Sequence, residues 1–212
     1  MVTSDVLSGR PTFAPVLIAV VDIGSPQAGR LGWATLPDGR TGKAIGELVA
    51  TVSDGLERGP VALGFEAPLW VPARSDEMAV TGARVGEKSR AWSAGAGSGA
   101  LATGLAVIPH ILARLRKAAP KAVASMDWKS PPAGPQELLL WEAFVSSADK
   151  GDSHEEDALI AARGFERACR DLQEFQKLES EACLNLLGAC LLRTGWSNDI
   201  ATLSSDLLVL RL

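Results

Sequence analysis

Cysteine is scarce in this 212-residue chain, and the three present, Cys169, Cys183 and Cys190, are too unevenly placed for a disulfide framework. A reduced compartment follows as the expectation. Their neighbours are apolar, and Cys183 and Cys190 lie seven apart, which suits buried helix positions better than reactive thiols. The first residues lack a charged start followed by an apolar stretch and a small-residue cleavage site. The run PVLIAVV is short and stops at Asp22, so it reads as neither a signal peptide nor a membrane span. A soluble, cytoplasmic protein with no membrane partner is therefore expected. Positive charge is also in short supply. Lys and Arg number 21 against 25 Asp and Glu, and the net charge of −4 gives no strong field for duplex nucleic acid.

What remains is ordinary globular material, 47% hydrophobic and 22% charged, at a length that suits one large domain. A chain of this size buries roughly 70% of its unfolded surface and needs no covalent staple. Residues 1–15, with Gly9, Pro11 and Pro15, read as a flexible arm. Residues 16–212 read as a single domain ending in a helical extension. VLIAVVDIG (16–24) is a continuous apolar run, as expected of a strand buried on both faces. SPQAG breaks it, RLGWATL (30–36) resumes as a second strand, and PDGR (37–40) is a turn. Ile45, Leu48, Val49, Val52 and Leu56 fall at helical spacing and stop at Gly59 and Pro60. VALGFEAPLWVP (61–72) then predicts another buried strand, paired parallel to the first across that helix.

Residues 73–100 read as a mobile basic loop, carrying Arg74, Arg84, Lys88 and Arg90 and the small-residue stretch SAGAGSGA. It leads into a helix marked by Leu101, Leu105, Ile108, Leu112 and Leu115, which Pro109 should start or kink. SPPAGP (130–135) is a connector, and ELLLWEAFVSS (137–147) a further strand. Helical spacing returns from His154 through Leu172. Leu184, Leu186, Leu187, Leu191 and Leu192 predict a last helix, apolar nearly all round and ended by Gly195. Such a helix needs covering, either by its own sheet or by a second copy in a homodimer. LLVLRL closes the chain as a short strand.

Three element ends carry an acid where a plain core element would not: Asp22 in VVDIG, Glu66 in GFEAP and Asp157 in HEEDALIAA. Asp22 could cap a turn, and Asp157 could complement a helix dipole. Glu66 is harder to dismiss, because a carboxylate after VALGF is costly to bury unpaired. If the first strand and the strand over 61–72 are parallel neighbours, their carboxyl ends share an edge, where open α/β sheets bind ligands. Three carboxylates about 5 Å apart repel by roughly 3 kcal/mol per pair at an effective dielectric near 20, so they must take up protons or cations. Hard oxygen ligands suit Mg²⁺ or Mn²⁺. His154, one turn before Asp157, could add a ligand or carry a proton, or simply lie in solvent.

The order of elements and these motifs resemble the RNase H-like fold, and in particular the RuvC-type junction resolvases and predicted RNase H-like nucleases. The resemblance covers roughly residues 16–175 and rests on Asp22 with Gly24, Glu66 with the following proline-rich APLWVP, and His154 with Asp157-Ala-Leu. The chain lacks the resolvases' Pro-Gly after the first Asp. The resemblance implies an α/β fold with a mixed sheet, its first three strands antiparallel and the rest parallel, with helices on both faces. It also implies Asp22, Glu66 and Asp157 as metal ligands, His154 in support, and hydrolysis of phosphodiesters in structured DNA or RNA. Two other readings stand beside it. One is a non-catalytic assembly or binding module. The other is a phosphotransferase of the sugar-kinase and actin type, since DIGSPQAGR resembles a first phosphate loop, although that family needs two such domains. GAGSGALATG is rejected as a nucleotide loop, because no strand feeds it and no Walker lysine follows. Trp92, between basic and glycine-rich stretches, is the tryptophan best placed to stack on a base.

Overall fold

The computed structural model describes residues 13–87, 92–145, 150–176 and 178–211. Most of the expected arm, and Lys88 and Arg90 of the expected basic loop, lie outside the described residues. Phe13 is already buried, and its N–H donates to the Cys169 carbonyl.

The apolar run at the start becomes β1 (Leu17–Asp22), in which every residue is buried. β2 (Gly32–Leu36) and β3 (Thr41–Gly42) continue from it as an antiparallel meander. After α1 (Ile45–Arg58) the chain returns as β4 (Val61–Glu66), parallel to β1 and in register so that Asp22 lies beside Glu66. Beyond β4 lies β7 (Glu137–Phe144), also parallel. Its outer side is shared by β6 (Val123–Ser125) along its first half and β9 (Val209–Arg211) along its end. The sheet order is β3-β2-β1-β4-β7-β6, with β9 also on β7. This is an α/β fold with a mixed sheet, antiparallel first and parallel thereafter.

Both faces are covered. Leu17, Ala19, Val21, Leu63 and Phe65 point toward α1, α2 (Gly95–Ala118) and α5 (Leu186–Thr194). Ile18, Val20, Ala62, Leu139 and Trp141 point toward α3 (His154–Ala168), which the short α4 (Leu172–Phe175) follows. Gly64 makes room for Trp141, which stacks on Phe165 at 4.4 Å, since a Cβ there would stand 2.4 Å from the indole.

Several expectations are corrected. Residues 61–72 form two strands, because the chain turns after Glu66 and β5 (Trp70–Pro72) leaves the main sheet to pair with β8 (Cys183–Asn185). Leu184 and Cys183 therefore belong to a strand, not to the last helix, which Asn185 caps at Gly188. Gly195 ends that helix in the left-handed conformation, φ 73°, as its position implied. α5 is covered by its own chain, with Leu187, Cys190 and Leu191 buried in the core. The small-residue stretch is helical from Gly95, so the predicted loop is shorter. Pro109 sits inside α2 without ending it. α2 has the length and composition to cross a membrane, but its Val107, Ile108, Ile111, Leu112 and Leu115 pack into the core.

Candidate metal centre

β1 and β4 end together, and that fixes two of the three acids. In-register parallel neighbours share a face, and both Asp22 and Glu66 emerge on the α3 side of the sheet. The third comes from the first turn of α3. Ser153 caps that helix by accepting the Glu156 N–H, and Asp157, one position on, is buried and turned inward. One oxygen each of Asp22, Glu66 and Asp157 lie within 4.8 Å of one another. The triad could hold a metal ion.

α3 reaches this position because β2 offers no side chain where the helix begins. Gly32 lies opposite Asp22, and a Cβ there would stand 2.3 Å from the His154 carbonyl carbon and 2.4 Å from the Glu155 nitrogen. Gly24, two residues after Asp22, does a related job. A Cβ on it would overlap the Arg30 carbonyl oxygen at 1.5 Å, so glycine lets the 24–30 loop fold back.

The structure brings all four expected site residues together and adds a fifth. His154 Nδ1 contacts Asp22 Oδ2, while the ring stays 38% exposed. Lys150, which the sequence reading passed over, sets its ammonium 3.5 Å from Glu66 Oε1 and donates to Asp157 Oδ2 at 3.3 Å. The other Asp157 oxygen accepts the Gly151 N–H at 2.7 Å. Glu66 Oε2 is buried with no hydrogen-bond partner among the described residues. An orphaned buried acceptor beside two more carboxylates fits a proton or a cation.

Charge follows from that crowding. Burial first, then the Asp22 charge, push the Glu66 carboxyl up to about 8, against the opposing pull of Lys150. Burial also holds Asp22 above its ordinary value, although His154 and Lys150 counter it. The nearby carboxylates raise Lys150, led by Glu66, despite desolvation. Because the folded Glu66 keeps a proton that the unfolded chain releases, its contribution is most favourable at acid pH. It is lost as pH rises from the ordinary 4.5 to about 8. At about 1.4 kcal/mol per pH unit, the loss is on the order of a few kcal/mol. Glu66→Gln should flatten that slope in chelator-treated protein. Melting curves between about pH 4 and pH 9 check it, and a slope unchanged by the substitution would refute the assignment.

The sequence also concealed a buried acid. Glu142, in the middle of an apolar strand, is fully buried and paired with Arg84. Its signal was a charge inside ELLLWEAF. Arg84 is thus a core residue rather than part of a basic surface. Trp92 donates to the Gly82 carbonyl at 2.7 Å, which ties its polar edge to the protein. Arg116, in the last turn of α2, stacks over Trp196 and donates to the Ala122 carbonyl. No family model, curated protein or solved structure matches this chain.

Proposed function

We propose that this chain is a divalent-metal-dependent nuclease of RNase H-like type, with Asp22, Glu66 and Asp157 holding Mg²⁺ or Mn²⁺. The observation that carries this reading is the convergence of three carboxylates, two at the carboxyl ends of parallel strands and one from the first turn of α3, with one buried oxygen unpartnered among the described residues. When bound, such a cation activates water and stabilises the leaving oxygen of a phosphodiester. The chain's own groups supply the rest. Asp22 bridges the cation site and His154, so the half-exposed imidazole can accept or release a proton at the site's rim. Lys150 offers a movable positive charge to an entering phosphate. Both rim residues reach solvent, and an open site suits a polymeric substrate. The net charge of −4 predicts weak, salt-sensitive binding to DNA or RNA, so cleavage belongs at low ionic strength on branched and single-stranded substrates. Wild type showing neither stabilisation by Mg²⁺ or Mn²⁺ nor cleavage of any such substrate would defeat this reading.

One observation favours the non-catalytic module instead: the Lys150 ammonium already lies against two of the three acids. Lys150→Met separates the two readings. For a metal site, removing a competing cation should tighten Mn²⁺ binding by up to about tenfold, less whatever solvent screens at a side chain 43% exposed. For a site satisfied by lysine alone, the variant should lose stability and gain no metal affinity. Calorimetric titration reads both. The phosphotransferase reading has less support. The Ala28, Gly29 and Arg30 amides of its would-be phosphate loop donate to the Ser25 and Pro26 carbonyls instead of facing outward.

A further inference from the structure

We propose that Arg84 and Glu142 are positioning residues for the cation site, holding the segment after Glu66 from the opposite face of the sheet. This rests on the metal-binding reading above.

Glu142 on β7 pairs in register with Phe65, the residue before Glu66. Adjacent residues on a strand face opposite ways, so Glu142 projects to the α1 and α2 side while Glu66 projects to the α3 side. Immediately after Glu66 the chain turns sharply, the Ala67 N–H donating to the Phe65 carbonyl. Glu142 grips it two residues later: Oε2 accepts the Leu69 N–H at 2.8 Å. The same carboxylate is held in a two-pronged pair by Arg84, at 2.8 Å from Nη1 and 2.6 Å from Nη2. Arg84 is fixed in turn by Glu87, which accepts from both its Nε and its backbone N–H, and by the Trp70 ring 4.8 Å away. The Leu69 carbonyl accepts from Leu186 and Leu187 at the start of α5. Both polar groups of Leu69 are therefore occupied three residues beyond a proposed ligand.

Stability alone does not account for this arrangement, since apolar residues of similar volume commonly replace a buried ion pair without loss. What the pair supplies is direction. A two-pronged guanidinium–carboxylate contact fixes orientation as well as distance, and Glu142 transmits it to the backbone that aims Glu66. Among the described residues Glu66 Oε2 has no hydrogen bond and Oε1 meets only the Lys150 ammonium at 3.5 Å, so the set of the backbone contributes to where the carboxylate lies.

The test compares two triple variants that remove the whole charged set and differ in one acceptor. Arg84→Met/Glu87→Gln/Glu142→Leu leaves the Leu69 N–H unpaired, whereas Arg84→Met/Glu87→Gln/Glu142→Gln keeps an oxygen for it. Mn²⁺ affinity is measured by calorimetric titration at a temperature where chelator-treated samples are folded. The leucine variant should bind about tenfold more weakly than wild type or worse, the range seen when outer supports of metal ligands are removed. The glutamine variant should recover most of that loss. If the leucine variant does not fold, Arg84→Lys takes its place, keeping the charge without the two-pronged grip and weakening binding likewise. Both variants binding Mn²⁺ like wild type, whatever their melting temperatures, would overturn the positioning role and leave the metal site standing. Wild type failing to bind Mn²⁺ would overturn both.

Discussion

On the proposed nuclease reading, Asp157→Asn should leave the protein folded and remove both stabilisation by metal and cleavage of nucleic acid. Asparagine keeps the volume, and its carbonyl oxygen can still accept the Gly151 N–H, so the turn into α3 survives. The negative charge does not. Asp157 adds to the repulsion that keeps both Glu66 and Asp22 reluctant to ionise. Removing it relieves the metal-free protein, partly offset by the loss of the half-exposed Lys150 contact. Metal-free melting temperature should therefore hold or rise. Stabilisation by metal follows mass action, so a weakened site shows as a flat response to added Mn²⁺. Cleavage should fall by at least about a hundredfold, beyond the loss typical of a residue that only supports a ligand. Glu156→Gln is the matched control. It removes a charge one residue away, from an exposed side chain that accepts the Asp152 N–H. Melts with chelator or Mn²⁺, beside cleavage of branched and single-stranded substrates, decide it. An Asp157→Asn protein that still responds to Mn²⁺ like wild type would remove Asp157 from the ligand set.

The centre of this fold was legible because its signals are local. A strand buried on both faces has to be continuously apolar, and β1 and β4 are, so the acids ending them stood out. The helical periods of α1 and α3 were equally plain, and with them the position of Asp157. What the sequence hid depends on partners far along the chain. β5 and β8 are three residues each and exist by pairing with one another, more than a hundred positions apart. Residues 61–72 therefore read as one strand although the chain turns away after Glu66. β6 is similarly short and rests on β7. Ser93 to Ala100 looked like a loop because glycine disfavours helix, but the buried turns of α2 that follow support it. Arg84 seemed one of several basic loop residues, since its partner Glu142 lies 58 positions away. Lys150 had no pattern to betray it. Its role comes from where the entry to α3 delivers it.

Gly32→Ala should damage the candidate site more than the stability of the fold, although residue 32 lies outside the acidic triad. The added carbon would sit 2.3 Å from the His154 carbonyl carbon and 2.4 Å from the Glu155 nitrogen, both backbone atoms with no rotamer to escape into. The N-terminal turn of α3 must then move off β2. That turn carries His154 and Asp157, whereas Asp22 is held opposite Gly32 in the sheet and cannot follow. The triad opens at one corner while Asp22 and Glu66 stay together. Overpacking of this kind costs about 1–3 kcal/mol in stability. The functional loss should be larger, since a displacement near 1 Å at a reacting centre costs on the order of a hundredfold. Gly99→Ala, in α2 with open space at its Cβ, is the counterpart. It should stabilise by up to about 1 kcal/mol through helix propensity and leave metal binding untouched. Mn²⁺ titration and thermal melts of both variants supply the comparison. A Gly32→Ala protein with wild-type Mn²⁺ affinity would mean that α3 is not seated by this contact, and that the register of Asp157 with the strand ends is set elsewhere.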